Sequence, residues 1–258
     1  EQATQRFGVK DGVDDFQNRK YGWRTELLRK IQKWVVRRAD FVITPSKYFQ
    51  KLVSVWIKNP EKVKVIYNGI DLKSTANLEL QTNNSKLILS AGRLVPWKGF
   101  DVLINLMKDL PDWRLVIVGD GPEREALKLI VESLLLEGRI HLAGAVCREE
   151  LQRYLHAAGV FVLNTSFESF SFQTVEAMNA GVPVITTNIG NLAEIIDHNK
   201  DGVLVEPNNK GQILAAIKKI DADKAFRETI IKNARSKAEN FSIEKTVDRL
   251  SQLLWNLK

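Results

Sequence analysis

Residues 160–187 read VFVLNTSFESFSFQTVEAMNAGVPVITT, and the fold turns on them. Val160–Leu163 and Pro183–Thr187 are short aliphatic runs without polar alternation, as in strands covered on both faces. Between them a loop holding Glu168 leads into a helix over Gln173–Asn179, which Gly181 and Pro183 end. A strand, a helix and a second buried strand form the crossover unit of a parallel sheet.

The same alternation extends outward in both directions. Further strands are expected at Lys86–Ala91, Trp113–Val118, Ile140–Leu142 and Gly202–Val205. Helices fit near Phe100–Lys108, Glu123–Leu136, Arg148–His156, Leu192–Asp197, Gln212–Ile220 and Lys224–Asn240, and a last one from Ile243 to Leu257. The pattern predicts a doubly wound α/β domain over residues 76–240, followed by a C-terminal helix, 241–258, that packs back towards the N-terminal part. Upstream lie less material and a different rhythm. Asp40–Thr44 reads as a strand, Pro45 and Ser46 open a helix to about Ile57, and Val63–Tyr67 forms a second strand before an Asn68-Gly69 turn. The polar run from Lys73 to Ser85 reads as a linker, so residues 1–75 are expected to be a separate, smaller piece.

Charge sharpens that division. Between Gln17 and Arg38 stand Arg19, Lys20, Arg24, Arg29, Lys30, Lys33, Arg37 and Arg38 against Glu26 alone, a net +7 that equals the formal charge of the whole chain. Trp23, Leu27, Leu28, Ile31, Trp34 and Val35 recur at helical spacing among them. Two readings stand: a basic amphipathic surface making peripheral contact with an anionic membrane through residues 17–38, or a helix packed by its apolar stripe beneath solvated basic flanks. Nucleic acid is not expected, since zinc-ligand spacing and aromatic-basic RNA motifs are absent from the sequence. With 44% hydrophobic and 27% charged residues the chain is an ordinary globular protein, neither disordered nor collagenous. A single cysteine, Cys147, excludes an intramolecular disulfide framework and points to a reducing, cytoplasmic compartment. No apolar run approaches the roughly 18 residues that span a bilayer. The first residues, Glu1-Gln2-Ala3, lack an initiator methionine and read as the start of an excised piece.

In a doubly wound sheet, ligands bind beyond the carboxyl ends of the strands. Two stretches there carry chemistry. After the first strand of the larger domain comes AGRLVPWKG, residues 91–99: Gly92 lets the backbone approach a ligand, and Arg93 and Lys98 supply cations suited to a diphosphate. After Val160–Leu163 come Glu168 and, eight residues on, Glu176, with the backbone amides of Phe170, Ser171 and Phe172 where a helix begins. A carboxylate among such donors can accept two hydroxyls, as a sugar or ribose requires. Taken singly, Arg93 and Lys98 are also readable as surface charges on a loop, Glu168 as an N-cap-like residue and Glu176 as a solvated helix position.

Together and in this order, the motifs resemble those of the retaining glycosyltransferases of family 4. The matching residues are Gly92-Arg93 with Lys98-Gly99, the Glu168/Glu176 pair followed by Ala177-Met178 and residues 180–184 (AGVPV), 117–122 (IVGDGP), 40–46 (DFVITPS) and 65–71 (VIYNGID). The resemblance runs from about Arg38 onward. It implies a GT-B fold in which two Rossmann-like domains face each other: one complete doubly wound domain here, and a partial second one whose N-terminal, acceptor-side portion is missing. It further implies a retaining hexosyl transfer from a nucleotide diphosphate sugar, UDP- or GDP-linked, to a glycan, lipid or small acceptor, with no cofactor and no metal. Arg93 and Lys98 would bind the diphosphate and stabilise its developing charge, and Glu168 would contact the transferred sugar. Glu176 would hold the ribose hydroxyls, the Phe170–Phe172 amides would meet sugar or phosphate oxygens, and the Val146 backbone would help receive the base. One departure stands out: where the family has Glu-Gly-Phe-Gly, this chain has Glu168-Ser169-Phe170-Ser171, which puts the loop path and donor choice in question.

Other features point to structure. Asp221 and Asp223 mimic a metal-binding Asp-x-Asp but fall between helices, away from strand ends; His141, His156 and His198 lack ligand spacing, and Cys147 lacks a thiolate partner. An acyl-transfer serine elbow and a P-loop are missing from the sequence. Two alternatives to the transferase remain: a nucleotide-sugar-binding fragment or pseudoenzyme unable to transfer alone, and a GT-B sugar-nucleotide epimerase.

Overall fold

A computed structural model of the chain describes residues 19–72 and 85–255. Most of the polar run read as a linker, residues 73–84, therefore lies outside the described residues, as do Gln17 and Asn18 of the basic segment. The described residues group into two compact units, divided between Tyr67 and Asn68.

The smaller unit holds helix α1 (Trp23–Arg38), strand β1 (Val42–Thr44), helix α2 (Lys47–Ser54) and strand β2 (Val63–Val65). β1 and β2 pair in parallel, Val42 against Val63 and Thr44 against Val65, so α2 is their crossover. Ser46 caps α2 by accepting a hydrogen bond from the Phe49 N–H at 3.2 Å. Helix α1 does not pack as its pattern invited. Its apolar stripe faces outward, with Trp23 73% and Trp34 59% exposed, while Thr25 and Arg29 are the buried residues. Arg29 is held on that inner side by Glu26 at 2.8 Å and the Arg19 carbonyl at 2.7 Å. A period of 3.6 separates two faces of a helix but does not say which face the protein covers.

The larger unit alternates strictly: β3 (Leu87–Ala91), α3 (Phe100–Leu106), β4 (Arg114–Val118), α4 (Arg124–Ser133), β5 (Ile140–Gly144), α5 (Arg148–Ala157), β6 (Val160–Leu163), α6 (Phe172–Ala180), β7 (Val184–Thr187), α7 (Leu192–Ile195) and β8 (Val203–Val205). Helices α8 (Lys210–Ala222), α9 (Lys224–Ala238) and α10 (Ile243–Trp255) follow. The strands form one parallel sheet in the order β5-β4-β3-β6-β7-β8. From β3 the chain proceeds outward through β4 to β5, then returns to β6 and proceeds the other way. The switch point lies between β3 and β6.

The core explains the near-continuous apolar strands. Ile88, Leu115, Ile117, Val160, Val162 and Ile185 meet Phe100 and Leu103 of α3, Leu127 of α4 and Ile213 and Ile217 of α8, all nearly inaccessible. Each such side chain contributes about 1.5–3 kcal/mol on burial. Gly181 ends α6 in the left-handed region at φ 74°, and the Val182 N–H closes the turn on the Ala177 carbonyl at 3.0 Å. Pro183 then leads into β7. Residues 68–72 belong to this unit: Ile70 bridges Ser242 in parallel, immediately before α10.

Candidate functional site

The loops after β3 and β6 converge at the switch point. Pro96–Lys98 forms a single 3-10 turn, and the Ser166 N–H donates to the Trp97 carbonyl at 2.8 Å. The two loops are clasped lower down by Asn164, whose side chain donates to the Gly99 carbonyl at 3.0 Å and to Asn208 Oδ1 at 2.9 Å, and accepts from the Asn208 N–H at 2.8 Å. This clasp fixes Lys98 against Glu168. Their side chains form an ion pair and are 10% and 15% exposed. Gly92 lies beside the same ammonium: a Cβ built on it would stand 3.8 Å from Lys98 Nζ. Gly92, Lys98 and Glu168, expected at one site, are therefore brought together.

Arg93 is exposed and, among the described residues, forms no hydrogen bond or ion pair. With the Lys98 charge compensated by Glu168, Arg93 is the cation of this motif left to meet an anion.

Helix α6 starts at Phe172, with Ser171 as its cap; the Ser171 hydroxyl accepts from the Thr174 N–H at 3.2 Å and from the Thr174 hydroxyl at 2.8 Å. Ser171 sits at φ −98° and Ser169 is not among the positive-φ residues, so neither serine at these two positions uses left-handed backbone, and the Ser171 hydroxyl serves the helix. The N–H groups of Phe170, Ser171 and Phe172 have no acceptor among the described residues. They remain as donors at the positive end of α6. Phe170 is buried between Phe172 and Phe241, with ring centroids 5.2 and 5.9 Å away, which anchors the loop.

Glu176 occupies a second cluster. It sits one helical turn into α6 with a side chain 12% exposed, and burial pushes its carboxyl above the ordinary range while Arg148 opposes that shift. Arg148 Nε stands 4.0 Å from Glu176 Oε1. Arg148 opens α5, two residues beyond the half-buried Val146 expected to receive a base. Reading the sequence missed Arg148 and the Asn164–Asn208 clasp. Neither has a signal in spacing, because each partner lies on a different crossover unit.

Four of the residues set aside have structural partners. Asp221 pairs with Lys86, Asp223 caps α9 by accepting from the Phe226 N–H at 2.9 Å, and His198 accepts from the Leu204 N–H at 3.1 Å. His156 shares a 2.7 Å hydrogen bond with the Gln152 carbonyl. Cys147 is an exposed free thiol.

Cations, carboxylates and backbone amides without an acceptor among the described residues thus stand at the switch point of a parallel sheet, where doubly wound α/β domains bind ligands. The chain belongs to the family described as glycosyl transferases group 1, which it matches over residues 76–237, and residues 11–74 match glycosyltransferase family 4. It is 34% identical over 210 residues to an uncharacterised glycosyltransferase of Methanocaldococcus jannaschii, covering 75% of this chain and 54% of the relative. It is 28% identical over 172 residues to the 2-deoxystreptamine N-acetyl-D-glucosaminyltransferase of Niallia circulans, covering 65% of this chain and 44% of that protein. Among solved structures, Anabaena HepE in complex with UDP and glucose aligns with a TM-score of 0.77 and 25% identity over 87% of this chain and 66% of that one. Sucrose-phosphate synthase from Thermosynechococcus elongatus aligns with a TM-score of 0.80 and 27% identity over 98% of this chain and 65% of that one. The chain thus spans 54% of the length of its Methanocaldococcus relative. The fold is that of GT-B glycosyltransferases. Among the described residues, no helix is long and apolar enough to cross a membrane.

Proposed function

We propose that this chain forms the donor side of a retaining, metal-independent hexosyltransferase that uses a UDP- or GDP-linked sugar. The observation that carries this reading is the Lys98–Glu168 pair at the β3/β6 switch point, next to the free amides that open α6. A sugar diphosphate offers both partners what they need. Its oxygens accept from Lys98, Arg93 and the Phe170–Phe172 amides, and the sugar hydroxyls donate to Glu168. Arg93 and Lys98 then stabilise the charge that builds on the diphosphate as the glycosidic bond breaks, which is the task a metal would otherwise perform. Glu176 accepts from the ribose hydroxyls, and the backbone at Val146 meets the base. The acceptor would be a glycan, lipid or small molecule, and residues 1–75 would belong to the acceptor-side domain. Residues 76–240 act as the donor domain and 241–258 as its returning helix.

Titration calorimetry with UDP, GDP and ADP tests the site. Binding of at least one is expected, and binding of none would sink the assignment. We expect the chain alone to bind donor nucleotide while transferring weakly or not at all; efficient transfer by this chain would overturn that part. Where turnover is measurable, Arg93→Ala should lower it by roughly 10²-fold while changing donor affinity far less, since the charge it meets grows mainly in the transition state. A loss of donor affinity with kcat unchanged would reassign Arg93 to ground-state binding. An epimerase is disfavoured by the Glu168/Glu176 arrangement, which suits a donor sugar and its ribose.

A further inference from the structure

We propose that Arg148 is a positioning residue of the donor site, acting on the nucleotide through Glu176. Its guanidinium is anchored at one end, where Nη2 donates to the Asp71 carbonyl at 3.0 Å. The other edge presents Nε to Glu176 Oε1 at 4.0 Å. That separation is too long for a hydrogen bond but short for a charge contact. The distinction matters for what Glu176 can do. A guanidinium bonded bidentately would occupy two of the carboxylate's acceptor sites, whereas one held about 1 Å further off partly compensates the buried charge and leaves those sites open to two hydroxyls.

The anchor itself is built from both sides. Asn179, three residues along α6 from Glu176, donates to the Leu72 carbonyl at 3.1 Å, next to the carbonyl that holds Arg148. Segment 70–72 is further fixed where the Ile70 N–H donates to the Phe241 carbonyl and the Ile243 N–H to the Ile70 carbonyl, each at 2.9 Å. Arg148 is the one charged group among the described residues within ion-pair distance of Glu176. Without it the carboxylate would stand buried and uncompensated, and its protonated form accepts hydroxyl hydrogen bonds less well. Arg148 touches neither the reacting atoms nor, on this view, the nucleotide. It keeps the ribose acceptor charged and in place.

The proposal rests on the reading that Glu176 takes the ribose hydroxyls, and the test separates the two. UDP and GDP, each beside its 2′,3′-dideoxy counterpart, are titrated into the wild-type chain and into Glu176→Ala, Arg148→Ala, Arg148→Lys and the double variant. Arg148→Ala is expected to weaken the preferred ribonucleotide roughly tenfold. That loss should vanish with the dideoxy nucleotide and in the Glu176→Ala background, and Arg148→Lys should recover part of it. An equal loss for ribose and dideoxy nucleotides would overturn the proposal, because a structural role, or a direct contact with base or phosphate, does not depend on the ribose hydroxyls. If Glu176→Ala fails to distinguish the two nucleotides, the ribose reading itself falls, whatever Arg148 does.

Discussion

Glu176 is held where its charge is disfavoured: burial raises its carboxyl above the ordinary range, and Arg148 only partly offsets this. The folded state therefore holds the proton more tightly than the unfolded chain does. Stability contributed at this position falls as pH rises from the unfolded carboxyl value through the raised folded one, and it is fully present below both. Above that window the ionised carboxylate is a standing cost, which the donor's ribose would relieve. Glu176→Gln keeps the shape and removes the charge. It should raise Tm at neutral pH by about 2–4 °C, the scale of a 1 kcal/mol change in a chain of this size, and the gain should disappear below the unfolded carboxyl range. The same substitution should weaken the binding of a ribonucleotide. Thermal unfolding across pH, read beside nucleotide titration, checks both signs; a destabilised Glu176→Gln at neutral pH would mean that its surroundings favour the charge.

At the scale of elements, the site exists because three βα loops are locked to one another by backbone. The ladder of β3 and β4 continues past the strands, with the Gly92 N–H on the Val118 carbonyl at 2.9 Å and the Leu94 N–H on the Asp120 carbonyl at 3.0 Å. That approach leaves no room for a side chain at Gly119, where an added Cβ would lie 1.9 Å from the Gly92 carbonyl oxygen and φ is +136°. Gly119→Ala should cost about 2–4 kcal/mol and weaken nucleotide binding by displacing the 92–98 loop, whereas Gly138→Ala, with nothing within 4 Å, should be nearly neutral. Urea unfolding of both variants decides it; equal midpoints would mean the loops do not meet so closely. The strands of this unit were legible because a parallel sheet buried on both faces leaves unbroken Val, Ile and Leu runs, and glycines and prolines mark its turns. Lys98, Glu168 and Glu176 were legible as members of a motif. Their partnerships were not: Lys98 and Glu168 are 70 residues apart, and Arg148 reaches Glu176 from a different crossover unit. Such contacts follow from strand order, which local patterning does not encode.

For the molecule as a whole, the question is what a net charge of +7 concentrated in residues 17–38, +5 of it on α1, does. On α1 the cations and the apolar stripe share the exposed surface: the Arg24 guanidinium lies 5.3 Å from the Trp23 ring centroid, and that of Arg38 lies 5.2 Å from Trp34. The residues α1 buries, Thr25 and Arg29, leave Leu27, Leu28, Ile31 and Val35 outside. This combination fits an anionic lipid surface: each cation near it is attracted by about 1 kcal/mol, and indole rings favour the headgroup level. We propose on this basis that α1 makes peripheral contact with anionic membrane. The chain should co-sediment with vesicles of phosphatidylglycerol and phosphatidylcholine but not with phosphatidylcholine alone. Its tryptophan emission should shift to the blue on binding, and the association should weaken steeply as salt shortens the screening length. Trp23→Ser with Trp34→Ser should reduce binding at fixed charge, and Lys30→Glu with Lys33→Glu should nearly abolish it. Failure to bind anionic vesicles at low salt would end the membrane reading and leave the stripe as a surface for protein.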